Sequence, residues 1–296
     1  MNEPQVESSF VLCEGLVRIF KVDDVEVVAL QGLDLAVRQR EMIAIVGPSG
    51  SGKSSLLNLL GGLDTPSAGT IRVGGRDLVG MSEVERTRYR RNTVGFVWQN
   101  VGRNLIPYLS AVDNVELPMI LSGVFSRRRA HRLLELVGLG SRKHHRPARM
   151  SGGEQQRAAI AIALANAPAL LLADEPTGSL DRENGGRLLE VFDTVRRELG
   201  VTVIIVTHDR SIARAVDRYV EIRDGKTSSE AVRKDTGPTP HDAPEDTHEH
   251  FTLLDSAGRL QVPPDLLASH GIKGRVKLIE EGGRIVIVPD TSLPEG

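Results

Sequence analysis

The chain has 296 residues, which leaves room for one large domain and a smaller one, since single domains usually hold roughly 50–250 residues. Its 37 basic and 39 acidic residues give a formal net charge of -2, so no overall field would attract nucleic acid or an anionic membrane. A lone cysteine, Cys13, excludes an internal disulfide, and the acidic, polar start is unlike an export signal, which predicts a cytoplasmic protein.

No stretch of the chain predicts a membrane span. The most apolar stretch, residues 158–173, is interrupted by Asn166 and Pro168 and is shorter than the roughly 20 apolar residues that cross a bilayer. If the chain serves a membrane process, we therefore expect the membrane path to lie in another polypeptide.

Residues 10–225 alternate short apolar runs with amphipathic stretches and glycines, which predicts an α/β fold. Three continuous apolar runs predict central parallel strands that are covered on both faces: residues 42–46, 170–173 and 201–206. Ser82 and Glu85 predict a capping box at the start of a helix. Helix ends and a closing turn are predicted at Gly138, Gly200 and Asp224-Gly225.

The composition of the chain changes after residue 225. Residues 226–250 are rich in Thr, Pro, Asp, Glu and His and nearly lack large apolar side chains, which predicts a flexible linker. Residues 251–296 return to strand patterns, with a helix opening at Pro264 and a hairpin turn at Gly282-Gly283. We therefore predict domains at 1–225 and 251–296. The linker histidines would be spacers without the fixed geometry of a metal site: His241, His248 and His250.

One glycine-rich run has the spacing of a phosphate-binding loop, G-x-x-x-x-G-K-[ST], between an apolar strand and a helical stretch: Gly47-Pro48-Ser49-Gly50-Ser51-Gly52-Lys53-Ser54. Glycines let successive backbone N–H groups surround phosphate oxygens beside the positive end of the helix that continues at Ser55. Lys53 would reach the β- and γ-phosphates, and the Ser54 hydroxyl would bind Mg²⁺. The alternative is a glycine-rich turn without a ligand.

Two adjacent carboxylates, Asp174 and Glu175, follow the apolar run 170–173, at the strand end where open α/β sheets bind ligands. Asp174 suits the acid that organises Mg²⁺ in phosphate-loop NTPases, and Glu175 suits the base or orienting group for an attacking water. Without the phosphate loop, helix capping or a solvated loop would be the better interpretation of this pair.

The run Met150-Ser151-Gly152-Gly153-Glu154-Gln155-Gln156-Arg157 resembles the signature of ABC ATPases, with Met at the usual first Leu. Further ABC motifs follow in the order of that family: Gln99, Ser179-Leu180-Asp181 and His208, with Phe20 in place of the adenine-stacking aromatic. The resemblance implies a phosphate-loop NTPase with a mainly parallel sheet, an antiparallel β subdomain and a helical subdomain. It also implies ATP and Mg²⁺ as cofactors and an ATPase activity coupled to transport or mechanical work.

The resemblance further implies a homodimer in which ATP lies on the phosphate loop of one subunit beneath the signature of the other. Glu175 and His208 would be catalytic, and Mg²⁺ would be held by Ser54, Gln99 and Asp174. The nucleotide-binding residues it implies are Phe20, Gly47, Pro48, Ser49, Gly50, Ser51, Gly52, Lys53, Ser54, Ser55, Gln99, Ser151, Gly152, Gly153, Glu154 and Asp181. Asp181 would couple the two sites.

Residues 61–69 and 165–181 resemble the MacB/LolD/FtsE-like branch of these ATPases. Members of that branch serve separate FtsX/MacB-type membrane permeases, which extrude lipoproteins, peptides or drugs or transmit force across the membrane. The resemblance implies a position on the cytoplasmic face of the plasma membrane. Residues 101–108 depart from the usual hydrophobic run in the segment that docks onto the membrane partner, so the substrate stays open.

The tail from residue 254 resembles the AbrB/MazE swapped-hairpin fold, whose small β-rich subunits interlock as dimers. Its bases Arg259, Lys273, Arg275, Lys277 and Arg284 are matched by the acids Asp255, Asp265, Glu280, Glu281 and Asp290, which disfavours nucleic-acid binding. We therefore interpret the tail as a dimerisation domain. The alternatives to a transport ATPase are an ATP-responsive DNA-binding regulator and a soluble, non-transport ABC ATPase.

Overall fold

The computed structural model describes residues 9–23, 25–178, 180–209, 212, 215–233, 248–254, 258–272 and 274–289. The chain forms two units, Met1–Phe251 and Thr252–Gly296. Several sequence predictions fall outside the described residues: those for Ser179, His241, Asp255, Lys273 and Asp290 and for residues 234–247 of the linker. Within the described ranges, no helix is both long and apolar enough to cross a bilayer.

The strands are, in chain order, β1 (Ser9–Val22), β2 (Val25–Arg38), β3 (Met42–Val46), β4 (Ala68–Val73), β5 (Arg76–Asp77), β6 (Val94–Val97), β7 (Leu170–Asp174), β8 (Thr202–Thr207), β9 (Arg218–Arg223), β10 (Lys226–Arg233), β11 (His248–Thr252), β12 (Val276–Glu281) and β13 (Arg284–Pro289). The α-helices are α1 (Lys53–Leu60), α2 (Glu83–Asn92), α3 (Ala111–Leu121), α4 (Arg127–Leu136), α5 (Gly152–Ala163), α6 (Arg182–Leu199) and α7 (Pro264–Ser269).

A seven-stranded sheet, in the order β11-β10-β9-β3-β8-β7-β6, forms the centre of the larger unit. Its pairs from β9 to β6 are parallel. β3 is buried on both faces, because Met42, Ala44 and Val46 pack into one core while Ile43 and Ile45 pack into another. The three apolar runs of the sequence are β3, β7 and β8, adjacent in this sheet, so their prediction as central strands is confirmed.

A four-stranded antiparallel sheet, in the order β2-β1-β4-β5, is the antiparallel β subdomain that the resemblance implies. Its apolar residues, among them Leu16, Leu33 and Ile71, share a buried core with Leu56 and Leu60 of α1. The phosphate loop ends in the first turn of α1, so this core fixes the helix at whose N-terminus a phosphate would lie.

Helices α3, α4 and α5 pack together as the helical subdomain. Leu134 of α4 and Ile160 of α5 are wholly buried in the core beside the central sheet. Arginines at the start of a helix oppose its dipole unless they meet acidic partners, and Arg127 at the start of α4 does meet them. Its guanidinium lies 2.6 Å from Asp113 and 2.7 Å from Glu116.

Local signals predicted several element ends correctly. Ser82 and Glu85 form the expected capping box at the start of α2, with each side chain accepting the backbone N–H of the other residue. Gly200 ends α6 in the left-handed region. Asp224 and Gly225 both have positive φ, 48° and 72°, as the two-residue turn between β9 and β10 requires.

The predicted end of the core at residue 225 needs correction, because the sheet continues beyond that turn. β10 pairs with β9 in antiparallel fashion and β11 lies beside β10, so both ends of the predicted linker are strands. Composition missed β10 because its buried side chains are small, Ser228 and Ala231, and backbone groups make the ladder. His248 and His250 are not spacers, since their rings lie 5.9 and 6.0 Å from that of Tyr219.

The smaller unit contains an isolated antiparallel bridge between Leu254 and Leu260, the helix α7, and the hairpin β12-β13. α7 begins at Pro264, as predicted. Gly282 and Gly283, at φ 58° and 74°, form the predicted hairpin turn. A small antiparallel β unit at the end of the chain is therefore present.

Candidate functional site

The phosphate loop, residues 47–54, runs from the end of β3 into α1 and includes the first two residues of that helix, Lys53 and Ser54. Gly50 and Gly52 have φ of 80° and 98°, in the left-handed region that favours glycine. No side chain caps α1, so the backbone N–H groups of its first turn can bind an anion. The Lys53 ammonium donates to the carbonyl oxygens of Gly47 and Pro48, at 2.9 and 2.8 Å, and thus lies across the loop.

Two carboxylates also affect the pKa of Lys53. Burial is the main cause that lowers the pKa of its ammonium, and the charges of Glu175 and Asp174 oppose that shift. The lysine and both acids therefore share one electrostatic environment.

Asp174 ends β7, and its in-register parallel pairing with β8 and β3 brings the carboxyl ends of all three strands together. Burial, followed by the charge of Glu175, raises the pKa of the Asp174 carboxyl. Lys53, Arg103 and a hydrogen bond with the Ser54 side chain oppose that rise. The Ser54 hydroxyl is therefore near enough to the Asp174 carboxylate to stabilise its charge, as expected of two oxygen ligands for one ion.

Glu175 adopts φ 45°, an uncommon conformation for a residue with a side chain. Its Oε2 accepts a hydrogen bond from the Thr207 hydroxyl at 3.1 Å and lies 2.9 Å from Nδ1 of His208. The Glu175 side chain is largely buried, at 14% exposure, whereas that of His208 is 63% exposed. A protonated Nδ1 of His208 can therefore donate to the carboxylate while the rest of the ring faces solvent.

Gln99 is exposed and follows Trp98, whose ring stacks on Phe96 with centroids 4.2 Å apart. The guanidinium of Arg103 lies 3.8 Å from the centroid of the Trp98 ring, a cation–π contact. Arg103 belongs to residues 101–108, the run in which the chain departs from the ABC pattern. The departure thus adds a cation whose charge acts on Asp174.

The signature residues begin α5. Ser151 is the N-cap, and with Glu154 it forms a second capping box, because each side chain accepts the backbone N–H of the other residue. The backbone N–H of Ser151 is the first cause that lowers the pKa of Glu154, and the charge of Arg142, at 3.1 Å, adds to it. Ser151 and Gly152 are exposed. The N-terminus of α5 is therefore open to a phosphate from outside.

Asp181 caps the start of α6. Its carboxylate accepts the backbone N–H of Asn184 at 2.9 Å and the side-chain amide of the same residue at 2.7 Å. Leu180 and Asn184 lie close to Gly152 and Gly153, since a Cβ built at those glycines would meet them at 3.9 and 3.7 Å. The structure thus places the signature next to the start of α6.

Phe20 lies on β1, and the Arg18 guanidinium covers its ring at 4.4 Å from the centroid. Arg18 is itself held by Asp64 at 2.8 Å. The Phe20 ring is therefore supported on one face, and its other face can stack on a flat group such as a nucleobase.

Sequence reasoning missed three residues that hold the predicted ones. Thr207 contacts Glu175, Arg142 contacts Glu154, and Arg18 covers Phe20. Thr207 had a signal, because it is the polar end of an apolar run and directly precedes His208. Arg142 had none, because the fold brings its partner Glu154 near. Arg18 had one, because residues two apart on a strand share a face.

Comparison with known proteins adds independent findings. The family model described as ABC transporter matches residues 30–178. The lipoprotein-releasing system ATP-binding protein LolD 2 of Caulobacter vibrioides is 48% identical over 221 residues, which cover 74% of this chain and 96% of that protein.

A second relative is the macrolide export ATP-binding/permease protein MacB of Rhodopseudomonas palustris, 45% identical over 279 residues. These cover 90% of this chain but 42% of that protein, so the chain spans less than half its length. Among solved structures, the ATP-binding cassette MJ0796, a dimer in a post-hydrolysis state with ADP and Pi, is 38% identical with a TM-score of 0.68. The match covers 75% of this chain and 98% of that one.

Proposed function

Because the chain belongs to the ABC transporter family, as an ATP-binding cassette of its LolD/MacB-like branch, we propose that it drives a separate membrane permease by closing and reopening a dimer around ATP. The chain is an ABC ATPase. The observation that carries the proposal is the meeting of Lys53, Asp174 and the Glu175–His208 pair at one end of the sheet.

ATP would bind with its phosphates on residues 47–55 and its adenine on the ring of Phe20. Lys53 would exchange its two carbonyl contacts for phosphate oxygens, which are stronger partners because the hydrogen bonds are charge-assisted. The N-terminus of α1 adds N–H groups and the positive end of its dipole.

The residues beside the loop fit Mg²⁺, because the Ser54 hydroxyl and the Asp174 carboxylate lie near each other and both offer the oxygen ligands that this ion prefers. Gln99 would complete the protein ligands. When bound with ATP, the ion neutralises charge on the β- and γ-phosphates. Asp174 carries the negative charge that would hold it, and Lys53 compensates part of that charge.

Glu175 would act on the attacking water. Its carboxylate is held through Oε2 by Thr207 and His208, which leaves Oε1 to orient the water and take its proton. His208, largely exposed, would also reach the γ-phosphate.

The other half of the site would come from a second copy. Ser151, Gly152, Gly153 and Glu154 begin α5 on an exposed surface, where the helix dipole can face a γ-phosphate held by the partner. The dimeric state of the MJ0796 cassette supports this arrangement. Asp181, beside the signature, would connect the two sites.

Replacement of Glu175 by Gln tests this mechanism. We expect E175Q to bind ATP and remain a dimer at saturating ATP and Mg²⁺, because closure needs the nucleotide whereas reopening needs hydrolysis. Size-exclusion chromatography and phosphate release measure the two effects. E85Q is the matched control, because Glu85 has the same side chain in the capping box of α2, and it should hydrolyse ATP normally. E175Q that stays monomeric under saturating ATP would contradict the proposal.

The membrane partner would dock at the groove of about 390 Å³ that lies next to Gln99. Its apolar lining includes Leu63, Phe96, Trp98 and Leu121. Such an uncovered apolar groove suits a short amphipathic segment of another protein. The names of the relatives point to lipoprotein release or macrolide export as the work driven. Peptide extrusion, mechanical coupling and a position on the cytoplasmic face of the membrane are what the sequence resemblance adds.

A charged residue in the groove tests the docking. We expect L121D to lose co-purification with a co-expressed FtsX/MacB-type permease but to keep the ATPase activity of the isolated subunit. V84D is the control, since Val84 is equally exposed, 70% against 71% for Leu121, but does not line the groove. Equal capture of both variants would place the partner elsewhere.

The smaller unit would hold two copies together through its hairpin. The register of β12 and β13 places Val276, Leu278, Ile285 and Ile287 on one face. Leu278 and Ile285 are 69% and 78% exposed. A two-stranded hairpin is marginal alone, and units below about 70 residues usually need an added staple such as a partner subunit. A second copy laying the same face against this one would supply it.

A charge on that face tests the pairing. If the tails hold two cassettes together, the cassettes meet at roughly millimolar effective concentration, and the ATPase rate per subunit does not change when the protein is diluted. In the full chain, L278K/I285K should break this link, so that the ATPase rate per subunit falls on dilution. K277A is the control on the opposite face. If L278K/I285K keeps the concentration dependence of the unchanged chain, the tail does not hold two copies together.

None of the relatives cited above is named as a DNA-binding protein, so the regulator alternative gains no support.

A further inference from the structure

Thr207 carries a buried hydroxyl inside the site, and it is not among the site residues that the sequence resemblance implies. It is the last residue of β8 and has no exposed surface. Its register partner on β3 is Val46, directly before the phosphate loop. A buried hydroxyl is costly unless it is hydrogen-bonded, so its partners show what it does.

The two contacts of Thr207 fix the direction of its hydrogen bonds. The backbone N–H of Asp209 lies 3.0 Å from Oγ1 and can only donate, so Oγ1 is the acceptor in that pair. The hydroxyl proton is then directed to Glu175 Oε2, 3.1 Å away. The turn after β8 thus orients Thr207 as a donor to the carboxylate.

The carboxylate that it holds is not placed by regular secondary structure. Glu175 follows β7 with φ 45°, and its backbone N–H donates to Val206 at 2.8 Å. Its side chain is then held by two groups on the same oxygen, Thr207 from the buried side and His208 from the exposed side. Only the threonine contact is shielded from water, so it is the more constant of the two.

We propose that Thr207 is a positioning residue for ATP hydrolysis, which holds Glu175 through Oε2 so that Oε1 faces the attacking water. This proposal rests on the proposed role of Glu175 as the base. Thr207 itself touches neither the water nor the phosphate. A carboxylate that can rotate would lose the near-attack geometry, whereas the nucleotide contacts made by the phosphate loop would be unaffected.

The rival explanation is that Thr207 only closes the turn at the end of β8 through its contact with Asp209. In that case, its loss would disturb the neighbouring strand end, and ATP binding and stability would change together with turnover. A positioning role changes turnover alone. The separation of kcat from ATP affinity therefore distinguishes the two.

The test uses three variants of the full chain. T207V keeps the shape of the side chain and removes the hydroxyl, T207S keeps the hydroxyl, and T202V makes the same change at the other end of β8. Thr202 is equally buried and its Oγ1 accepts the Arg40 backbone N–H at 2.9 Å. We expect kcat to fall roughly 10- to 100-fold in T207V, and to stay within about threefold in T207S and T202V.

Two further readouts complete the test. The Kd for ATP should be unchanged in T207V, and T207V/E175Q should form the same ATP-dependent dimer as E175Q. Wild-type kcat in T207V, or an equal loss of kcat and ATP affinity, would overturn the positioning role while leaving the proposed function intact. If E175Q itself hydrolyses ATP at the normal rate, the base assignment fails, which is a different outcome. Should T207V not fold, a kcat loss in T207S beyond tenfold at unchanged folding would overturn the role as well.

Discussion

Gly52 is the residue at which the phosphate loop turns into α1, and two features exclude a side chain there. Its φ is 98°, and a Cβ would lie 2.4 Å from the carbonyl oxygen of Ala29. Gly50 in the same loop shares the positive φ, 80°, but a Cβ there would meet nothing within 4 Å. A side chain at Gly50 would therefore cause backbone strain alone, whereas a side chain at Gly52 would cause backbone strain and a steric clash.

We expect G52A to lower the free energy of unfolding by about 2–5 kcal/mol, because the cost of the left-handed backbone adds to the cost of the clash between the new Cβ and Ala29. G50A should cost only the backbone term, about 1–2 kcal/mol. Urea denaturation of the nucleotide-free protein measures both. Equal losses in the two variants would show that the chain relaxes around Ala29 and that only the backbone conformation matters.

At this scale, the sequence singled out the residues of the proposed site but not the residues that hold them in place. The phosphate loop was predictable because its spacing is dictated by backbone geometry around phosphate, which is local in sequence. Thr207 acts through a contact with Glu175, 32 positions away, and only the folded sheet shows that they touch. Residue type and spacing hold no record of such contacts.

The capping boxes connect single residues to the behaviour of a whole helix. Ser82 with Glu85 begins α2, and Ser151 with Glu154 begins α5, with the same pair of reciprocal hydrogen bonds. The first lies outside the site and the second is the proposed contact to the γ-phosphate of a partner subunit. The same motif thus begins one helix outside the site and another for which a further role is proposed.

We expect S82A and S151A to destabilise the protein by similar amounts, about 1 kcal/mol, because each loses the acceptor for one N–H of a first turn. Only S151A should also lower the ATPase rate, since Ser82 has no place in the site. Thermal unfolding and phosphate release, measured on the same samples, compare the two. A loss of activity in S82A equal to that in S151A would attribute both losses to stability.

The sequence predicted strands correctly where both faces of the strand are covered, because such strands are continuous apolar runs. β3 and β8 are continuous apolar runs because each face packs into a core, and their prediction as central strands is confirmed. β10 escaped prediction, since Lys226–Arg233 buries little and its stability comes from backbone pairing with β9. Composition predicts strands that bury large apolar side chains. It does not predict a strand that is held mainly by its backbone hydrogen bonds.

At the scale of the whole molecule, the extent of the larger unit decides which truncation is informative. β10 pairs with β9 along six residue pairs, and Glu230 of β10 joins the buried Arg218 of β9 at 2.9 Å. The smaller unit begins at Thr252. Removing the chain from residue 226 therefore takes away part of the ATPase sheet as well as the tail.

We expect the chain truncated after Phe251 to keep a Tm within about 2 °C of that of the full chain, because the sheet order β11-β10-β9 stays complete up to its last strand residue. Truncation after Gly225 should lower Tm by about 5–10 °C, since each kcal/mol moves Tm by roughly 2–4 °C in a unit of this size. The exposed edge of β9 should also promote aggregation. Equal Tm values for both truncations would mean that β10 and β11 contribute nothing to the stability of the sheet, and the ATPase unit would then end at the turn after β9.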